Sequence, residues 1–262
     1  MNVHFSKYHG TGNDFILIDG RAIDTSVMDT QIIKYLCHRR FGIGADGLII
    51  LKDSKKYDFR MVYYNSDGEE GSMCGNGGRC ITAFAHKLGI TGTAAIFEGI
   101  DGSHEATILP NGHIKLRLID VEGIKTFEDG YFLNTGSPHF VKIVENSDVC
   151  DVQGEGKTIR HEARFLPGGT NVNFVQLLPE SMQIKVRTYE RGVEKETLSC
   201  GTGVTAAAIV SYYKQKPETA SYQIDALGGK LTVSFIPGDA LKFTEVYLTG
   251  PATHVFDGTY SL

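Results

Sequence analysis

Cys74-Gly75-Asn76-Gly77 and Cys200-Gly201-Thr202-Gly203 carry one pattern, a cysteine followed by Gly-X-Gly, at two places 126 positions apart in a chain of 262 residues. Each copy stands before a stretch that reads as a helix, Asn76 to Leu88 and Gly203 to Gln215, and Gly89 and Pro217 supply the stops. The second stretch carries Val204, Ala206, Ala207, Ala208, Ile209 and Val210, apolar on nearly every face; the first carries Ile81, Ala83, Phe84, Ala85 and Leu88. A helix apolar all round is a buried one. Two matched thiols at the heads of two buried helices can hold one small molecule from opposite sides.

Working outward, further features coincide at nearly the same spacing. Asn65, after the strand-like Phe59 to Tyr64, meets Glu190, after Gln183 to Tyr189, at an offset of 125. Gly12-Asn13-Asp14-Phe15 meets the turn Gly136-Ser137-Pro138-His139-Phe140, and Asp46, ahead of Leu48 to Leu51, meets Asn171, ahead of Phe174 to Leu177. Order and offset both hold, and the period is too long for a solenoid. The expectation is two related domains facing each other across a ligand-binding cleft. Alternating runs such as Ile114 to Leu118 and Lys230 to Phe235 read as strands separated by Gly-rich turns, and Thr30 to Arg39 reads as a further helix. The fold class is therefore α+β and duplicated, each half a central helix wrapped by mostly antiparallel strands.

Composition excludes several roles. An apolar fraction of 41% with 22% charged residues is ordinary for a soluble globular protein. The net charge is -5 and the densest basic run, Lys52 to Lys56, contains Asp53, so neither nucleic acid nor an anionic membrane is the expected partner. No apolar run approaches the roughly 20 residues that span a bilayer. Met1 leads directly into Val3-His4-Phe5 with no signal-peptide pattern, so a cytoplasmic location is expected. Five cysteines without zinc-ligand spacing suggest neither a disulfide scaffold nor a metal site. Gly10-Thr11-Gly12 is a weak echo of a dinucleotide loop, but Phe15 stands where its third glycine belongs. Nothing points to a pyridoxal lysine, and no cofactor is expected.

A helix N-terminus offers unpaired N–H groups and a partial positive charge, which bind a carboxylate and favour a thiolate. Flanking glycines let a ligand approach the backbone closely. Cys37, Cys80 and Cys150 lack this setting and read as small buried hydrophobes. Redox exchange ordinarily uses a Cys-X-X-Cys turn, absent here, and thiol-dependent hydrolysis leaves the duplication unexplained. Proton transfer at a stereocentre accounts for both thiols. One thiolate removes a proton from one face, the opposite thiol returns one to the other, and helix N-termini at an adjacent carboxylate stabilise the developing charge.

The motifs His9-Gly10-Thr11-Gly12-Asn13-Asp14-Phe15, Gly42-Ile43-Gly44-Ala45-Asp46-Gly47, Asn65-Ser66-Asp67-Gly68, Met73 to Cys80, Tyr189-Glu190-Arg191-Gly192 and Ser199 to Gly203 run in order through most of the chain, and the chain resembles the diaminopimelate epimerases. The resemblance implies cofactor-independent interconversion of LL- and meso-diaminopimelate, serving lysine synthesis and peptidoglycan precursors. It implies Cys74 and Cys200 as the acid/base pair, with His139 and Glu190 helping to set their protonation. It implies Asn13, Asn65, Asn171, Glu190 and Arg191 as substrate-holding residues, and the backbone of Gly75-Asn76 and Gly201-Thr202 as the seat of the reacting carboxylate. It implies two similar domains, 1–118 joined by 250–262 and then 119–249, often paired as a homodimer. Ser137 and Gly47 depart from the Asn and Gln that many members carry, which bears on recognition of the distal end of the substrate. Two other readings stay in view: a proline- or hydroxyproline-type racemase of the same fold, from which Asn76 and Tyr189-Glu190-Arg191 argue away, and a redox-sensing binding protein that joins Cys74 to Cys200. Tyr63 and Tyr64 read as strand core and rim.

Overall fold

The computed structural model describes residues 2–21, 23–178 and 182–262. Two compact units divide the chain, Met1–Leu116 with Gly250–Leu262, and Arg117–Thr249.

In the first unit the order is β1 (Asn2–Gly10), β2 (Asn13–Asp19), α1 (Thr30–Cys37), β3 (Gly47–Lys52), β4 (Phe59–Asn65), α2 (Gly75–Lys87), β5 (Ala94–Gly99), β6 (Gly102–Ile108) and β7 (Ile114–Arg117). The second runs β8 (Val121–Glu122), β9 (Lys125–Phe127), β10 (Gly130–Asn134), β11 (Pro138–Val144), α3 (Val152–Arg160), β12 (Asn171–Leu177), β13 (Gln183–Glu190), β14 (Lys195–Thr197), α4 (Gly201–Gln215), β15 (Ser221–Ala226), β16 (Gly229–Pro237) and β17 (Lys242–Gly250). The last strand, β18 (Thr253–Ser261), pairs antiparallel with β1, Asn2 opposite Ser261.

The repeat survives in the pairing. In the first unit β2 and β3 are parallel, as are β4 and β5, and β1–β2, β3–β4, β5–β6 and β6–β7 are antiparallel. In the second β11 and β12 are parallel, as are β13 and β15, and β10–β11, β12–β13, β15–β16 and β16–β17 are antiparallel. Even a minor contact recurs: the isolated bridge Tyr64–Glu70 matches the pair Tyr189–Glu196 that joins β13 to β14.

Burial explains why β2 and β3 read as unbroken apolar runs instead of alternating ones. Their sheet is covered on both faces, which removes the polar side. Ile16, Ile18, Leu48, Ile50 and Val62 pack under α1 with its Ile33, Leu36 and Cys37. The opposite face carries Ile49 and Met61, which approach α2 so closely that a Cβ on Gly77 would lie 3.0 Å from the Ile49 side chain. α1 ends at Cys37, two residues short of the expected Arg39, because N–H groups of Ile43, Gly44 and Ala45 fold back onto the carbonyls of Leu36 and Cys37.

In the second unit α4 is buried from Gly201 to Ser211 apart from the partly exposed Thr202. Its cover on the far side of the sheet is α3, which the sequence pattern does not announce. Val152-Gln153-Gly154-Glu155-Gly156-Lys157-Thr158-Ile159-Arg160 holds two glycines, poor helix formers, and few apolar residues. Tertiary packing overrides the propensity: Asp151 caps the helix through the Gly154 N–H at 2.9 Å, and a Cβ on Gly156 would meet the Tyr189 side chain at 2.5 Å. Phe140, Val172, Phe174 and Tyr189 complete that core with Val152 and Ile159.

Among the described residues no helix is long and apolar enough to cross a membrane, and no group of three or more His, Cys, Asp or Glu is placed to hold a metal ion.

Ile49 is fully buried against α2. Ile49→Ala is expected to lower the unfolding free energy by about 2–5 kcal/mol in urea titration, whereas Ile96→Ala, on an exposed side chain, changes it by about 0.5 kcal/mol or less.

Candidate active site

Both helices begin at the residue after their cysteine, one or two positions earlier than the apolar pattern suggests, and the cysteines are their N-caps. The two caps share a backbone conformation, φ -108° and ψ 117° at Cys74, φ -117° and ψ 112° at Cys200. Their side chains meet different surroundings.

In the first unit Cys74 Sγ accepts the Gly77 N–H at 3.5 Å. Asn13 Oδ1 lies 3.7 Å from the sulfur and accepts Asn76 Nδ2 at 3.2 Å. Asn13 Nδ2 donates to Asp46 Oδ2 at 2.9 Å. A carboxylate only accepts, so this contact decides which way the Asn13 amide faces and turns its oxygen to the thiol. Asp46 is itself fixed by Arg39 at 2.7 Å, Arg39 forks onto Asp14 at 2.6 and 3.0 Å, and Lys7 pairs with Asp14 at 2.8 Å. Burial alone would raise the Asp14 carboxyl; hydrogen bonds from Arg39 and Lys7 outweigh it and hold the group far below the usual carboxylate range. Asn65 ends β4 opposite Gly47, the first residue of β3, which pairs with Phe15 on β2, so Asn13, Gly47 and Asn65 lie at one end of the sheet.

In the second unit the sulfur of Cys200 is 3.5 Å from Thr202 Oγ1, and Thr202 Oγ1 is 2.9 Å from His139 Nε2. Asn173 Nδ2 donates to the Phe140 carbonyl at 3.1 Å and faces His139 Nδ1 at 3.1 Å, while its Oδ1 accepts Thr188 Oγ1 at 3.0 Å. The Phe140 carbonyl can only accept, so His139 Nδ1 faces a donor and carries no proton. The ring proton is therefore on Nε2, which donates to Thr202, and the Thr202 hydroxyl is left to donate to Cys200. His139 is fully buried, and burial, aided by the charge of Arg191, pushes its pKa down to about 3. The ring is neutral at any physiological pH.

Asn171 binds this unit's loops together: its Nδ2 donates to Ser137 Oγ at 3.0 Å and Pro138 O at 2.9 Å, and its Oδ1 accepts the Arg191 N–H at 2.8 Å. Arg191 Nη1 donates to Gly168 O at 3.3 Å, and Glu190 Oε2 accepts Thr197 Oγ1 at 3.0 Å. Within one unit, then, Asn13, Cys74, Gly75 and Asn76 come together, and within the other His139, Cys200 and Thr202, with Asn171 joined to Arg191.

The family model described as diaminopimelate epimerase matches residues 5–120 and 131–255. A diaminopimelate epimerase of Flavobacterium psychrophilum is 49% identical over 253 residues, covering 97% of this chain and 98% of that protein. This chain belongs to the diaminopimelate epimerase family. A family relative from Aquifex aeolicus is 41% identical over 99% of this chain and 98% of its own length. Solved structures share the fold at much lower identity. A PhzF-family phenazine biosynthesis protein of Bacillus anthracis aligns over the whole of both chains with a TM-score of 0.80 at 15% identity. A hydroxyproline epimerase from Agrobacterium vitis aligns over 98% of this chain and 92% of its own with a TM-score of 0.69 at 12% identity.

Against the family pattern, Gly47 has a steric cause. A Cβ there would lie 2.6 Å from Tyr63 Cε2 and 2.6 Å from Tyr64 O, and Gly71 makes room for the opposite edge of the Tyr63 ring in the same way. The Tyr63 hydroxyl donates to Asn65 Oδ1 at 2.9 Å. Tyr63 is thus a contact of Asn65, a candidate site residue, and not only strand packing as its alternation suggests; the signal available in the sequence was the glycine pair at 47 and 71. Ser137, the other departure, keeps a polar contact through Asn171.

Because folded His139 has its pKa near 3 and an unfolded histidine near 6.5, protons bind the unfolded chain first as pH falls. His139 therefore adds no pH dependence above about 6.5, and stability declines progressively from there towards pH 3. Urea midpoints across this range are expected to fall less steeply for His139→Gln than for the unaltered protein.

Proposed function

We propose that this chain interconverts LL- and meso-2,6-diaminopimelate by proton transfer between Cys74 and Cys200, with no metal or organic cofactor. The carrying observation is the pair of cysteine-capped buried helices, one in each repeat of a chain that belongs to the diaminopimelate epimerase family. The mechanism requires each thiol to address one face of the same α-carbon. One sulfur, as thiolate, takes the α-proton, and the electron pair left on carbon spreads into the carboxylate. The other sulfur gives its proton to the opposite face and becomes the thiolate. The substrate is inverted at that carbon and the two thiols have exchanged roles, so the reverse reaction starts from the product state.

The Gly75 and Asn76 amides and those of Gly201 and Thr202 belong to first helical turns, where N–H groups lack intrahelical acceptors. In this reading they receive the reacting carboxylate, whose charge grows as the proton leaves. Asn13, Asn65, Asn171, Glu190 and Arg191 hold the remainder, Arg191 and Glu190 suiting the second amino-acid group of diaminopimelate. His139, being neutral, acts as a fixed donor that aims the Thr202 hydroxyl at Cys200 and does not itself take the proton. The likeness to hydroxyproline epimerase supports the fold alone, while the distal carboxylate that Arg191 suits is one that proline lacks. The reading carries with it the two halves 1–118 with 250–262 and 119–249, a homodimer, and a cytoplasmic place in the supply of lysine and peptidoglycan precursors.

Incubation with LL-diaminopimelate in deuterated water is expected to give the meso isomer with deuterium at the inverted α-carbon, read by mass spectrometry and NMR; no exchange beside an active control rejects the assignment. Cys74→Ala and Cys200→Ala are each expected to cut turnover by at least about 100-fold, and full activity in either rejects the paired-thiol mechanism.

A further inference from the structure

Behind the first turn of α2 lies a guanidinium with no exposed surface. Arg79 Nη2 donates to Asn76 Oδ1 at 2.9 Å and Thr11 Oγ1 at 3.5 Å, Nη1 to Gly75 O at 3.3 Å, and Nε to Pro251 O at 3.2 Å. Every one of these acceptors is a neutral oxygen. The ion pairs nearby, Lys7 with Asp14, Arg39 with Asp14 and Asp46, and Lys87 with Asp257, leave Arg79 out. Buried charge is ordinarily matched by opposite charge, because removing it from water is costly. β1 gives way for it: a Cβ on Gly10 would stand 3.0 Å from Arg79 Nη2 and 3.2 Å from the Asn76 side chain.

The repeat shows that the charge is not needed to hold the turn. Thr205 stands 126 positions on, at the matching place in α4, and its Oγ1 donates to Gly201 O at 2.9 Å, the counterpart of the Gly75 carbonyl. The second unit makes the same hydrogen bond without a cation. What Arg79 adds is positive charge and a fork that grips Asn76.

We propose that Arg79 is the built-in counter-charge of the first unit's thiol, stabilising the Cys74 thiolate while it fixes the Asn76 amide that positions Asn13. Burial disfavours the charged guanidinium, and negative charge on the Cys80 and Cys74 sulfurs opposes that effect. Burial pushes the Cys80 thiol up to about 12, so Cys80 stays protonated and Cys74 is the sulfur left to carry charge. The other ionisable groups on strands packed against α2 are engaged with other partners, neutral or exposed to solvent. Lys7 and Asp14 are paired, His104 meets Asp101 at 2.8 Å, and His9 Nδ1 accepts the Gly12 N–H. Tyr8, pushed up to about 12 by burial, is neutral, the Tyr63 hydroxyl is turned to Asn65, and His4, Lys52, Arg60, Tyr64, Asp19 and Glu105 are partly or fully exposed. Asn13 Oδ1, an acceptor, favours the protonated thiol; the Gly77 N–H and Arg79 favour the thiolate. The opposition keeps both forms within reach, as reversible proton transfer demands.

The inference rests on the reading of Cys74 as an acid/base residue, and its test reads the thiol instead of turnover. In the full-length chain carrying Cys200→Ser, the pH dependence of Cys74 alkylation by iodoacetamide is followed by peptide mass spectrometry. Arg79→Met is expected to raise the half-maximal pH by about one unit, a tenfold loss of thiolate at a given pH, and Arg79→Lys to recover most of the shift. A folded Arg79→Met protein with an unmoved profile, or a Lys variant as shifted as the Met variant, overturns the proposal. Should Arg79→Met not fold, Cys74 in the Cys200→Ser protein is compared with Cys200 in the Cys74→Ser protein. Cys74 is expected to reach half-maximal alkylation about one pH unit lower, and equal or reversed order overturns the proposal. An unmoved profile, with deuterium exchange intact in the protein that keeps both cysteines, removes the role of Arg79 and leaves the epimerase reading; a shifted profile, with no exchange in the protein that keeps both cysteines, does the reverse.

Discussion

A helix with no polar side has to be enclosed, and α4 meets this requirement most fully. α4 carries alanines, valine and isoleucine around most of its circumference and is buried over nearly three turns. Enclosure by the sheet hides the helix body but leaves one part that cannot be satisfied from within, the first-turn N–H groups. A cysteine at the N-cap places its sulfur beside those groups by construction. The site is thus a by-product of how each core is closed: the more completely the strands wrap the helix, the more its N-terminus becomes the place where polarity collects.

Duplication supplies the backbone twice, and the side chains then diverge. Around Cys74 the support is ionic, a chain of Lys7, Asp14, Arg39 and Asp46 ending on the Asn13 amide. Around Cys200 it is neutral, running from Asn173 through His139 to Thr202. Both chains do the same job, which is to leave a hydrogen-bonding atom no choice of orientation. They do it with opposite means: Arg39 and Asp46 keep solvent contact, whereas His139 and Asn173 have none.

Most of this architecture is legible in the chain because it rests on local signals. Glycines after each cysteine, apolar helices behind them and strands at a constant offset locate both thiols and both halves. What escaped is what depends on partners distant in sequence. α3 is held by Tyr189 filling the space over Gly156, not by its own propensity. Tyr63 looks like an ordinary alternating strand residue until Gly47 and Gly71 are seen on either side of its ring. Arg79 lies inside a motif that names its neighbours, yet nothing in the spelling shows that its charge is buried among neutral oxygens. Orientation of the His139 ring follows from Asn173, a residue that carries no motif of its own.

The pairing of β18 with β1 has a consequence for the order of assembly on the ribosome. Residues 117–249 form one uninterrupted unit, while the sheet of the other needs a strand drawn from the opposite end of the chain. The second unit has everything it requires as soon as β17 has emerged. The first must wait with one edge of β1 uncovered, including the backbone groups of Val3 to Lys7, until translation reaches β18. An uncovered edge is the part of a sheet most prone to recruit another chain. The half of the protein made first is therefore finished last.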